Sequence, residues 1–150
     1  MKKKWIAIVL LMTGAIVVCV FMSKRASYTS VLETNWRISL PYEANIKAIY
    51  EKDSGASFHG DGIRYHIFEY RQEEFVTQML DWKAVENTTI YHESCSEAAD
   101  EWLSEISVEE ADYPEYDNCL YWYKAQEDNS EIIIFWDKDA DLLYVLEYFL

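Results

Sequence analysis

Basic side chains are scarce in this sequence. Its 13 lysines and arginines face 27 aspartates and glutamates, and the formal net charge at pH 7 is -14. Residues 86–150 hold 18 of the acids and only two bases, Lys124 and Lys138. A surface this acidic repels nucleic-acid phosphates and anionic lipid headgroups, so we expect neither as a ligand. It attracts basic proteins, basic peptides or cations, unless the charge serves only to keep the protein soluble.

Glycine and cysteine are scarce as well. Three of the four glycines lie between Asp53 and Gly62, which marks that segment as a place of tight turns. Of the three cysteines, only Cys95 and Cys119 follow the apolar N-terminal run, so at most one disulfide can form there. Internal repeats and low-complexity tracts are also missing. The residues from 26 to 150 are therefore expected to form one domain with its own core.

Residues 5–22 form the one long run without a charge. Three lysines at positions 2–4 precede this 18-residue run, and Lys24 and Arg25 close it. A helix of that length rises about 27 Å, close to the ~30 Å of a bilayer's hydrocarbon core. The pattern predicts a basic flank at 1–4 and a transmembrane anchor at 5–22. A cleaved signal peptide is the alternative, although the only nearby cut, after Ala26, has Lys24 just before it.

The charges on either side of the run predict its orientation. The three lysines and the amino terminus precede it, whereas two basic residues follow it. Because positive flanks stay in the cytoplasm, this favours a cytoplasmic N terminus and an outward C-terminal part. We therefore expect a single-pass protein of the cell membrane, with a juxtamembrane linker at 23–35 and an extracytoplasmic domain at 36–150.

Hydrophobic periodicity predicts sheet, then helices, then sheet again. Alternation around Trp36–Leu40, Ile46–Tyr50 and Ile63–Ile67 predicts three half-buried strands. Residues 72–83 then repeat at helical spacing. A second helical stripe follows Ser94, which with Glu97 has the form of a capping box.

The last third of the chain predicts an antiparallel meander. Residues 118–125, 131–136 and 142–149 have strand character, and short polar turns join them. The fold class is then α+β: a two-layer domain with a mainly antiparallel sheet of about six strands and two helices on one face. The many aromatic side chains are expected to fill most of its core.

Cys95 and Cys119 are open to two interpretations. In an oxidising compartment they would form a disulfide that ties the second helix to the following strand. Otherwise they are two buried free thiols. A reactive Cys95 at a helix N-terminus is a further possibility, but the acids Glu93 and Glu97 beside it oppose ionisation of the thiol.

The glycine-rich segment before the third predicted strand is a loop candidate. Its polar and glycine residues are Ser57, His59, Gly60, Asp61 and Gly62. Serine, histidine and aspartate so close together suggest a hydrolase, yet catalytic triads are assembled from separate chain segments. An irregular hairpin connection, in which His59 and Asp61 bond nearby backbone groups, is the other interpretation.

The same segment carries a family resemblance. Phe58-His59-Gly60-Asp61-Gly62, behind a basic-flanked N-terminal span, resembles small uncharacterised membrane-anchored envelope proteins of Gram-positive bacteria. The resemblance covers a few residues and the general layout. It implies a bacterial, membrane-associated protein, and it carries no catalytic residue to transfer.

Two metal patterns are incomplete. Asp137, Asp139 and Asp141 match the first ligands of a calcium loop, but Leu142 stands where the turn glycine belongs. His92 and Cys95 have a zinc-like spacing, but a disulfide at Cys95 would abolish that site. We therefore expect no metal and no cofactor.

Residues 112–123 are the predicted binding segment, because tyrosines alternate with carboxylates there. Aromatic rings among acids suit a cationic ligand. The sequence thus favours a non-catalytic module for a basic protein or peptide over an envelope hydrolase that would use His59 and Asp61. The candidate binding residues are Asp112, Tyr113, Glu115, Tyr116, Asp117, Tyr121 and Tyr123.

Overall fold

The computed structural model describes residues 28–55, 61–84, 89–90 and 93–150. The chain divides into two compact units, Met1–Leu40 and Pro41–Leu150. The predicted anchor at 5–22 lies outside the described residues. Among the residues that are described, no helix is long and apolar enough to cross a membrane.

In the first unit, helix α1 covers residues 28–36. It ends at Arg37, whose φ of 60° is left-handed, and the Arg37 N–H donates to the Glu33 carbonyl at 3.1 Å. This is an αL cap made by a residue other than glycine. The strand predicted at 36–40 is therefore wrong, because Trp36 belongs to the helix and residues 37–40 have no regular structure. Of the predicted linker at 23–35, residues 28–35 are described, and all of them are helical.

The second unit is a two-layer α+β fold built on one antiparallel sheet. Five of its strands are long, and a two-residue strand, β3, extends one edge. A separate two-stranded ladder precedes the main helix. In chain order the strands are β1 (Lys47–Asp53), β2 (Gly62–Glu69), β3 (Lys83–Ala84), β4 (Thr89–Ile90), β5 (Glu93–Ser94), β6 (Cys119–Ala125), β7 (Glu131–Asp137) and β8 (Leu142–Phe149).

The predicted meander of β6, β7 and β8 is confirmed. Each pair is antiparallel and in continuous register, with Tyr123 opposite Ile133 and Ile133 opposite Leu146. In the β7–β8 turn, Asp137 Oδ1 accepts hydrogen bonds from the backbone N–H groups of Asp139 and Ala140. The aspartates that resemble a calcium loop thus form a hairpin turn.

β8 also pairs with β2, which gives the sheet order β1-β2-β8-β7-β6-β3. This pairing runs from Gly62 opposite Phe149 to Glu69 opposite Leu142. β8 is therefore the strand that joins the β1–β2 hairpin to the meander.

The main core lies on one face of the sheet, beneath helix α3 (Cys95–Glu105). The predicted capping box is present: Ser94 Oγ accepts from the Glu97 N–H at 3.2 Å, and Glu97 Oε2 accepts from the Ser94 N–H at 2.8 Å. The predicted stripe also forms. Its buried members on α3 are Cys95, Ala98, Ala99, Trp102 and Leu103.

Helix α2 (Glu73–Thr77) is shorter than predicted and lies on the opposite face from α3. The Val76 carbonyl accepts a hydrogen bond from Trp82 Nε1 at 2.8 Å, and the Trp82 ring lies 5.0 Å from that of Trp136. Trp136 alternates with Phe135, which belongs to the core beneath α3. The prediction of two helices on one face is therefore wrong, because the contact between Trp82 and Trp136 places the α2 segment on the face of the sheet opposite α3.

Candidate functional site: an acidic groove beside helix α3

The tyrosines of the predicted binding segment point inward. Tyr121 is only 1% exposed and belongs to the core. Tyr113, Tyr116 and Tyr123 are half-buried and pack against the same core. The Tyr116 ring meets Phe135 edge-on at 5.1 Å. Tyr121 therefore offers no ring surface to a partner, whereas the other three tyrosines keep a part of theirs exposed.

Two of these tyrosines instead hold carboxylates in place. The Tyr116 hydroxyl donates to Asp100 Oδ1, and the Tyr123 hydroxyl donates to Glu131 Oε1, each at 2.7 Å. Bonds this short to a carboxylate are the strong, charge-assisted kind. Burial, reinforced by the bond to Asp100, raises the pKa of Tyr116 above its ordinary value, so the hydroxyl keeps its proton and remains a donor.

The acids of the predicted segment are displayed by two short 3-10 turns, Glu110–Asp112 and Tyr116–Asn118. Asp112 is half-buried, and its backbone carbonyl accepts from the Tyr65 hydroxyl at 2.6 Å. Glu115 and Asp117 are exposed. The core thus anchors the backbone of this segment and leaves its outer carboxylates in solvent.

Helix α3 adds a row of acids on its exposed side. Glu97, Asp100, Glu101 and Glu105 are all exposed, and α3 has no basic residue. Glu97 serves the capping box, and this hydrogen bonding lowers the pKa of its carboxyl group. Asp100 accepts a hydrogen bond from the Tyr116 hydroxyl. Glu101 and Glu105 accept no hydrogen bond and join no ion pair in the part of the chain that the structure describes.

A groove of about 470 Å³ lies beside these two glutamates. Its wall includes Trp102 and Tyr148, whose rings stack 5.4 Å apart at an interplanar angle of 17°. Tyr148 stands directly opposite Glu131 in the β7–β8 pairing, so strand register places the carboxylate beside the rings. The lining residues are Glu101, Trp102, Glu105, Asn129, Glu131, Tyr148 and Leu150.

Glu131 differs from the other acids of the groove because it is only 7% exposed. It is the first residue of β7, whose seven residues are all buried. Its Oε1 accepts from Tyr123, whereas its Oε2 accepts no hydrogen bond in the described chain. The groove therefore contains one buried carboxylate, with Glu101 and Glu105 at its exposed edge.

Sequence reasoning did not find this groove, because its residues come from α3, the turn before β7, β7, β8 and the residue after β8. Only the pairing of Glu131 with Tyr148, and the packing of α3 over both, brings them together. One signal was available. Glu131 is the single charge that begins an otherwise apolar run over 132–136, a position where burial of a carboxylate is unfavourable.

The loop candidate is described only at its end. Ser57, His59 and Gly60 lie outside the described residues, so the hydrolase alternative stays a prediction. Gly62 opens β2 at a φ of 136°, and a Cβ there would collide with Ser54 Oγ. Since Ser54 Oγ accepts from the Ile63 N–H at 3.0 Å, this glycine is needed by the β1–β2 hairpin, whatever else the loop does.

A second cavity of about 380 Å³ is lined by Glu51, Lys52, Asp53 and His66. Burial, assisted by the nearby charge of Arg64, lowers the pKa of His66 to about 4. The imidazole is therefore neutral at pH 7. With one base and two acids beside a neutral ring, this cavity has a weaker preference for cations than the groove at α3.

Cys95 and Cys119 are both buried free thiols, which is the second of the two interpretations that the sequence left open. Burial is the largest cause of the raised pKa of each thiol; the negative charge of Glu131 adds to it for Cys95, and those of Asp137 and Glu115 add to it for Cys119. Each pKa is raised to about 12. A reactive Cys95 is thereby disfavoured.

The part of the chain that the structure describes contains no cluster of side chains that could bind a metal ion. No three His, Cys, Asp or Glu side chains there come close enough to hold one ion. The carboxylates of the groove are thus spread over its wall and do not converge on a point.

Comparison with known proteins found no matching family model, no similar characterised protein and no solved structure with a matching fold. The function must therefore follow from the residues of the site themselves.

Proposed function

We propose that the protein is a membrane-anchored extracytoplasmic binding module that takes a basic protein or peptide on its acidic surface. The anchor at 5–22, the outward orientation and a bacterial envelope setting come from the sequence pattern. The choice of partner comes from the surface formed by α3, the groove beside it and the exposed acids of residues 109–117.

One observation carries the proposal: within the part of the chain that the structure describes, the exposed acids of α3 and of residues 109–117 form no ion pair with a basic side chain. The ion pair between Lys138 and Glu73, at 3.6 Å, involves neither α3 nor residues 109–117. Lys52, which comes near, donates instead to the Ser107 carbonyl at 3.0 Å. A cluster of unpaired carboxylates gains most from a partner that brings positive charge, and it speeds association by attraction at a distance.

The placement of the tyrosines supports the same function. Tyr116 and Tyr123 fix two carboxylates in defined positions. Side chains that are already ordered lose little conformational entropy on binding, which favours affinity. An acidic surface that only kept the protein soluble would not need such bonds.

The test is a titration of full-length protein in nanodiscs with a fluorescent peptide of alternating lysine, arginine and serine. We expect binding that weakens steeply as salt is raised. Removing three exposed charges with Glu109→Gln, Glu110→Gln and Asp117→Asn should weaken it by roughly tenfold, or about 1.4 kcal/mol.

The matched control removes three exposed acids elsewhere, with Glu43→Gln, Glu74→Gln and Asp81→Asn. It changes the net charge equally and should alter binding far less. If both triple variants behave alike, the attraction is a property of net charge and the surface proposed here is not the binding site.

A further inference from the structure

We infer that the groove beside α3 holds an arginine side chain of the basic partner, with Glu131 as the buried carboxylate that meets the guanidinium. The inference rests on the proposed binding function and names the chemistry that its central site selects. Three features carry it: an incompletely satisfied buried acid, a wall of stacked rings and the spread of the carboxylates.

The buried acid is the first feature. A carboxylate that is 7% exposed, with one hydrogen bond, has lost most of its hydration without full replacement. Within the described residues, the one side-chain hydrogen bond of Glu131 is made by Oε1, and the residue lines the groove. A positive group placed there would replace the stabilisation that the carboxylate loses when burial removes its hydration.

The stacked rings are the second feature. Trp102, which is only 7% exposed, stacks on one face of the half-buried Tyr148 ring at an angle of 17°, so Tyr148 supplies the aromatic surface next to Glu131. A guanidinium is planar and weakly hydrated, and it stacks on aromatic faces better than an ammonium does. Leu150, which is 57% exposed, adds an apolar contact at the edge for the methylene groups that precede the charge.

The third feature is the wide spacing of the acids, which favours an arginine side chain over a metal ion as the occupant of the groove. Within the described part of the chain, no three acidic side chains converge enough to surround one ion. A metal ion therefore cannot bind Glu101, Glu105 and Glu131 together. The five N–H donors of a guanidinium lie along a planar fork and can serve oxygens that are farther apart.

The test uses full-length protein and three peptides that share a lysine-rich sequence and differ at one central residue: arginine, lysine or citrulline. Citrulline keeps the shape of arginine and lacks its charge. We expect the arginine peptide to bind about tenfold more tightly than either of the others, and Glu131→Gln to remove that preference.

The control variant is Glu127→Gln, which loses one exposed acid in the neighbouring turn and should keep the preference for arginine. Because Glu131 is buried, a variant there can fail to fold. The exposed pair Glu101→Gln and Glu105→Gln is then used instead, with the same loss of preference expected.

The outcomes separate the two proposals. If all three peptides bind equally and in a salt-dependent manner, the protein is a basic-peptide module and the arginine site is wrong. Equal binding of the lysine and arginine peptides, both above citrulline, also overturns the choice of arginine. If no peptide binds, the proposed function fails, and the arginine site fails with it.

Discussion

At the scale of single residues, the buried acids and thiols show how position changes chemistry. Glu131 and Glu105 have the same side chain. Glu131 lies inside the groove and accepts a hydrogen bond from Tyr123, whereas Glu105 is exposed and has no partner among the described residues. Cys95 and Cys119 were predicted from the sequence as a possible pair. The structure shows both as buried free thiols, and composition and spacing alone could not choose between that state and a disulfide.

The thiols lead to a pH prediction. Each has a folded pKa of about 12 against an ordinary value of 9.0, because burial disfavours the thiolate. Below pH 9 the thiols keep their protons in both the folded and the unfolded state, so their contribution to the free energy of unfolding is fully present. As the pH rises from 9 towards 12, only the unfolded chain loses protons, so the free energy of unfolding should fall.

Urea denaturation between pH 8 and pH 11 would measure this fall. Buried tyrosines such as Tyr144, whose pKa burial raises to about 12, contribute in the same direction. The variant Cys95→Ala with Cys119→Ala should therefore show a shallower loss with pH, though a lower stability at neutral pH. An unchanged slope would show that the thiols are not buried as described.

At the scale of elements, local signals predicted well and distant pairings did not. The capping box of α3 and the β6–β7–β8 meander follow from neighbouring residues, and both are confirmed. The strand predicted at 36–40 failed because α1 runs through Trp36 and ends at Arg37, whose left-handed φ of 60° interrupts an extended backbone. Helix α2 ends at Thr77, and beyond it Trp82 packs on Trp136, a contact across more than fifty residues that local periodicity does not reveal.

The groove illustrates the same limit. Trp102 was correctly predicted on the apolar stripe of α3, and Tyr123 was among the candidate binding residues. That Tyr123 supports Glu131, and that Glu131 lies beside Tyr148, depends on two strand registers together. Without those registers the sequence could indicate acidic and aromatic character only, and not a site.

Helix α3 should gain stability when its outer acids are neutralised. Glu101 stands four residues from both Glu97 and Glu105, and like charges at that spacing cost ~0.2–0.5 kcal/mol per pair. Glu105 also lies at the C-terminal end, where the helix dipole disfavours a negative charge. Glu101→Gln with Glu105→Gln should raise the free energy of unfolding by about 0.5–1 kcal/mol, measured by urea denaturation at low salt.

The same double variant is expected to bind the arginine peptide less well. A gain in stability with a loss of binding is the expected signature of residues kept for a ligand. If the variant is less stable than the parent protein, these glutamates support the helix by contacts other than those seen here.

At the scale of the whole molecule, the acidic second half and the apolar N-terminal run suggest a protein held at a membrane. Removing residues 1–25 should move the protein from the membrane pellet to the aqueous fraction. High salt should not release the full-length chain, since its attachment would be hydrophobic rather than electrostatic. Fractionation followed by immunoblotting checks this.

Intact-mass measurement on the membrane fraction decides between the anchor and a cleaved signal peptide. A mass near the full 17.7 kDa supports the anchor. A mass that lacks the first 26 residues would contradict it and make the protein a released one.

The place of β8 in the sheet also dictates an order of events during synthesis. The residues of the β1–β2 hairpin and of the β6–β7 pair are synthesised before residues 142–149. Until β8 is made, β2 and β7 each have an unpaired edge where β8 lies in the finished sheet. The hydrogen bonds of that strand to both neighbours can form only after nearly all of the chain has been made. A chain threaded through a membrane would thus remain unassembled during its passage and close into one sheet on arrival.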